Sequence, residues 1–83
     1  MSEPTHPRPI LDQSLREDGW TVEWQPHPLG RWVYRAPVRV VLVAPDGRVA
    51  VPSHAHSSVL EPAVSDRATL LFINATGQTD DPH

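Results

Sequence analysis

Cysteine and lysine are absent from the 83 residues, and glycine occurs only four times. Without cysteine there is no disulfide staple, no thiolate nucleophile and no Cys-ligated zinc. Without lysine there is no Schiff base, no P-loop lysine and no lysine general base. The glycines are widely separated, so neither a phosphate-cradling loop nor a dinucleotide fingerprint can be written on this chain. The Gly-x-Ser-x-Gly nucleophile pattern is missing too. Apolar runs are short: the longest, Val40 to Ala44, is far below the length that spans a bilayer. Glu3, Asp12, Glu17 and Asp18 interrupt the first twenty positions and leave no signal-peptide core. The sequence therefore points to a cytoplasmic protein with no membrane partner.

What is present is arginine and proline. All seven basic residues are arginine, against ten acidic ones, for a net charge of -3. That balance argues against bulk affinity for nucleic acid. Gly, Ala, Arg and Pro supply 28 residues, while Phe, Tyr, Met, Ile, Asn and Lys supply 6. This bias points to a GC-rich bacterial or phage genome, and a phage origin would place the chain in an assembled virion. A chain this short is one domain with a small core, and docking or oligomerisation is the reinforcement left to it.

Three prolines in residues 1–9 predict an extended arm, either a passive tail or a docking strap. A single small domain is expected over 10–77, followed by a flexible polar tail over 78–83. Ile10, Leu11, Ser14 and Leu15 fall on one helical face ahead of Gly19, so a short N-terminal helix is possible over Ile10 to Asp18. Strand alternation follows. Trp20, Val22 and Trp24 share one face of a half-buried strand. Arg31 to Ala44 reads as one long strand, with Trp32, Tyr34, Ala36, Val38, Val40 and Leu42 opposite Arg31, Arg35 and Arg39.

Ala44-Pro45-Asp46-Gly47 is a turn, and Arg48 to Ser53 runs back from it. Two loop lengths compete. A four-residue loop pairs Leu42 with Val49 and Val40 with Val51, keeps one apolar face, and turns the histidines beyond the strand to solvent. A three-residue loop closed by a Gly47 bulge pairs Val38 with His54 and buries both histidines among valines. The first is the expectation. Ser57 to Arg67 reads as irregular, and Ala68 to Asn74, with four consecutive apolar residues, reads as a strand covered on both faces. The fold class is mainly all-β, a four- to five-stranded antiparallel sheet or barrel with that short helix and Pro-rich arms.

Two constellations could carry chemistry. His54-Ala55-His56 followed by Glu61 places two imidazoles on one strand face with a carboxylate near, a donor set suited to a divalent metal such as Zn, Fe or Mn. With Gly47 upstream, residues 47–61 resemble the first conserved motif of cupins, a glycine, then His-x-His, then a glutamate. The resemblance implies a metal held by His54, His56 and Glu61 inside a β-barrel. Here Pro62 follows the glutamate and no second motif supplies another histidine. The other constellation is Arg31, Arg35 and Arg39, spaced by about 13 Å each along an extended strand, which could grip an anion or a partner's carboxylates. The inward phase of the tryptophans leaves no stacking platform beside them for nucleic acid.

The leading expectation is a non-enzymatic interaction or assembly module with no cofactor, an accessory or structural subunit that binds itself or another protein. Leu71 and Ile73 are its expected interface. A metal-binding cupin-like protein and an anion- or nucleic-acid-binding arginine face are the alternatives.

Overall fold

The computed structural model describes residues 4–26, 30–52 and 57–76. In chain order these form helix α1 (Pro9–Glu17), strands β1 (Thr21–Gln25), β2 (Arg31–Ala36), β3 (Arg39–Val43), β4 (Val49–Pro52) and β5 (Ser57–Leu60), and helix α2 (Asp66–Thr76). The strands make one antiparallel sheet in sequence order, β1-β2-β3-β4-β5. It stays open: β1 and β5 are edges, and the barrel alternative is not formed.

Helix α1 starts and stops where local chemistry dictates. Pro9 occupies its first turn, where a missing N–H costs nothing. At the other end Gly19 takes φ +96°, which only glycine adopts without penalty. The Gly19 N–H then donates to the Arg16 carbonyl and the Trp20 N–H to the Leu15 carbonyl, a complete Schellman closure. Leu11 and Leu15, one turn apart, are fully buried.

Residues 31–44 are two strands, not one. Pro37 has no N–H and a fixed φ, so it suits a turn better than a ladder. Ala36 faces Arg39 across the Pro37-Val38 turn, and the chain doubles back. This reverses the phase of β3: Val41 and Val43, rather than Val40 and Leu42, join Trp32 and Tyr34 in the core. The next hairpin follows the three-residue loop. The Gly47 N–H donates to the Ala44 carbonyl, the Ala44 N–H donates to the Arg48 carbonyl, and Gly47 sits at φ +100° as a bulge. Val43 therefore faces Val49 and Leu42 faces Ala50, one residue off the expected register. The objection to this register, burial of the histidines against Val38, falls away because Val38 lies in the preceding turn and β4 ends at Pro52.

The segment expected as a final strand is helix α2, and part of the stretch expected to be irregular is β5. Ser65 caps α2, its Oγ accepting from the Ala68 N–H at 3.1 Å. Asp66 adds a negative charge to the first turn. Thr69 and Ile73, four residues apart, are buried, whereas Leu71 is 63% exposed. Both helices lie on one face of the sheet. Leu11, Leu15 and Ile73 meet Trp20, Trp32, Tyr34, Val41, Val43, Val49 and Val51 in a single core, with Trp24, Leu60 and Phe72 at its margin. Burying each such side chain contributes roughly 1.5–3 kcal/mol.

The chain ahead of α1 is fastened to this core. Arg8 is only 8% exposed. Its Nε donates to Asp66 Oδ1 at 2.9 Å, Nη1 to the Gly47 carbonyl at 3.0 Å and Nη2 to the Val64 carbonyl at 2.8 Å. One guanidinium thus ties the N-terminal segment to the bulged turn and to the start of α2. His6 and Arg8 accordingly pack against their own fold, while Pro4 and Thr5 ahead of them are exposed.

Candidate docking face

Alternation sorts every strand residue onto one of two faces. The face away from the helices carries, in its central row across all five strands, Glu23, Val33, Leu42, Ala50 and Val59. A second row holds Thr21, Arg35 and Val40, with Pro52 on β4 beyond them. Toward the opposite strand ends come Gln25 and Arg31 and then, one residue past the Val43–Val49–Leu60 row, Ala44, Arg48 and Glu61. Ala44 and Arg48 share a backbone hydrogen bond, and Arg48 Nε stands 3.9 Å from Glu61 Oε1.

No helix covers this face among the described residues. Val33 is enclosed, at 3% exposure, yet stands outside the helix-side core. Val59 is 57% exposed, and Leu42 and Ala50 are half-buried. From β3 to β5 the central and second rows carry no charge: Val40, Leu42, Ala50, Pro52 and Val59. The β1 and β2 side is polar. Arg35 Nη1 meets Glu23 Oε1 at 3.1 Å, an exposed pair that neutralises both. Arg31 has no ion pair among the described residues, and its Nε is enclosed without a hydrogen-bond partner.

The three arginines are therefore not one row. Arg31 and Arg35 share the open face of β2, while Arg39 sits on the helix side of β3 with its guanidinium 4.8 Å from the Trp20 ring centroid. Of the expected interface pair, Leu71 is exposed on α2 and Ile73 is core. His54 and His56 lie outside the described residues. Glu61 is exposed and near Arg48, and the closed barrel that a cupin site requires is not formed. Among the described residues no three His, Asp or Glu side chains gather as a metal site. No helix among them is long and apolar enough to cross a membrane.

A linked polar chain lies on the helix side. The Tyr34 hydroxyl donates to Asp12 Oδ1, and His6 Nε2 lies 2.7 Å from the same hydroxyl. The Arg8 backbone N–H donates to His6 Nδ1 at 2.9 Å, so the imidazole carries its proton on Nε2. The His6 ring also tilts against Trp32 with centroids 4.4 Å apart. Burial pushes the Asp12 carboxyl up, but the hydrogen bonds from the Tyr34 hydroxyl and the Arg16 guanidinium and the charge of Arg16 outweigh it, and the carboxyl lies below its usual range. Tyr34 is fully buried, so this chain is closed to substrate and acts as a brace.

The sequence missed the open face first at the turn between β2 and β3. A continuous strand over 31–44 puts Val40 and Leu42 in the core, and only the hairpin at Pro37 turns them outward. The available signal was the proline itself in an alternating run. Comparison with protein-family models, with curated proteins and with solved structures finds no match for this chain.

Proposed function

We propose that the chain is a non-enzymatic docking module and that the open sheet face is its contact surface. The observation that carries this reading is the division of the sheet: both helices and the tryptophans lie on one face, while the other presents an uncharged band across β3, β4 and β5. An apolar sheet face left in water loses the burial that a partner would supply, and such patches mark interaction sites. A charged rim beside an apolar centre, here Arg31, Arg35 and Glu23 beside Leu42, Ala50 and Val59, is the usual anatomy of a contact surface.

Two exposed positions separate this face from the alternative on α2. A photo-crosslinking residue at Val59 probes the sheet face, and the same residue at Leu71 probes the helix layer. Protein adducts from the Val59 position, and none from the Leu71 position, are expected when the tagged chain is irradiated in its source cells. Adducts from Leu71 alone, or from neither, sink the proposal.

A further inference from the structure

The geometry points to a second copy of this chain as the occupant of the open face. This inference rests on the docking reading and adds the identity of the partner. Its basis is the distribution of size and charge about one line, the boundary between β3 and β4. Consider a two-fold axis lying in the interface, parallel to the strands and above that boundary. The axis exchanges β3 with β4 and β2 with β5, and each row is laid on its own reverse. In the central row Leu42 then faces Ala50 of the second copy, large against small, and the exposed Val59 lies over β2 of that copy, whose Val33 is already enclosed in its own chain. In the next row Val40 faces its Pro52.

The third row supplies charge. Arg31 lies outside β3 and Glu61 follows β5, so the same operation brings Arg31 opposite Glu61 of the second copy, twice by symmetry. Arg31 has no ion pair of its own among the described residues. Glu61 is 70% exposed and held only loosely, 3.9 Å from Arg48, which keeps Asp46 at 3.4 Å. The Arg35–Glu23 pair falls at the rim, where its charges stay in water. Sheets packed face to face cross at about 30° and sit about 10 Å apart, distances that long side chains such as Arg31 and Glu61 span. An isologous contact of this kind closes as a dimer and does not propagate. Only β2 to β5 overlap, and four strands about 4.8 Å apart and about four to five residues long give a flat footprint of roughly 300 Å². That is under half of a standard interface per partner, so the dimer is weak and forms at high protein concentration.

The test is a charge-reversal mixing experiment followed by sedimentation velocity over a wide concentration range. Arg31→Glu alone places like charges together twice in its own dimer, and so does Glu61→Arg. Association of each is expected to weaken by more than about 100-fold. Mixed one to one, the two variants restore an attractive pair at both sites, and a heterodimer is expected where neither chain associates alone. Val59→Asp, at an exposed position, is expected to abolish the dimer with an unchanged circular dichroism spectrum. A parent chain that stays monomeric, single variants that dimerise like the parent, or a dimer that survives Val59→Asp each overturn the inference. The mass of the Val59 photo-adduct separates the two levels. A doubled chain mass supports self-docking. An adduct of any other mass overturns the second copy and leaves the docking face standing, and no adduct in cells that hold the chain above the concentration at which it sediments as a dimer removes both.

Discussion

At the scale of single residues, two positions hold more of the fold than their side chains suggest. Gly47 sits at φ +100°, and a Cβ there would stand 3.2 Å from the Pro62 Cβ. Gly47→Ala meets both a backbone penalty and a crowded ring, so a loss of about 1–2 kcal/mol is expected in urea unfolding. Arg8 is the other. Its three donor directions reach Asp66, Gly47 and Val64 at once, which a planar guanidinium can do and an ammonium cannot. Arg8→Lys therefore does not rescue the site. Both Arg8→Lys and Arg8→Met are expected to lose about 2–4 kcal/mol, because two carbonyls and a carboxylate lose their donor together. A lysine variant as stable as the parent would show that charge alone, without the fork, holds the segment.

At the scale of elements, helix α2 is closed at its start by a side-chain cap. Its interior mixes strong helix formers, Ala68, Leu70 and Leu71, with weaker ones, Thr69, Phe72, Ile73 and Asn74. Ser65→Ala removes the acceptor for the Ala68 N–H and is expected to cost about 1 kcal/mol, with faster amide exchange confined to the first turn of α2. The same element shows why part of the fold was hidden in the sequence. Four consecutive apolar residues carry no period, and only tertiary burial of Thr69 and Ile73 against the sheet picks the helix. Helix α1, by contrast, was legible because Leu11, Leu15 and Gly19 each report locally. The face of β1 was legible from Trp20, Val22 and Trp24. The register of β3 against β4 was not, because three- and four-residue loops are both compatible with Pro-Asp-Gly, and the choice belongs to Gly47 taking a positive φ. The docking face inherits that difficulty, since its residues are assigned by the turn at Pro37 and the bulge at Gly47 rather than by any motif.

At the scale of the molecule, the N-terminal segment, α1 and β2 are joined through His6, Tyr34 and Asp12, and this junction makes stability depend on pH. The folded Asp12 carboxyl lies below its unfolded value. Its contribution is therefore complete above the unfolded value, near pH 4, and is lost as pH falls through the lower folded value. Protonation removes the negative acceptor that holds the Tyr34 hydroxyl and the Arg16 guanidinium, and with it the anchor for His6. Chemical denaturation across pH 2 to 7 is expected to show the parent losing stability on the acid side more steeply than Asp12→Asn, which has no proton to bind. Tyr34→Phe should lose about 1–2 kcal/mol at neutral pH, since it leaves Asp12 and His6 each short of a partner. It should also flatten the acid limb, because the hydroxyl is one of the groups that holds the carboxyl low. An acid limb of equal slope in all three chains would place the pH dependence in other carboxylates and reduce the junction to packing. A limb flattened in both variants ties the closure of the N-terminal segment over Trp32 to one ionised aspartate. The open face would be unaffected, because none of these groups lies on it.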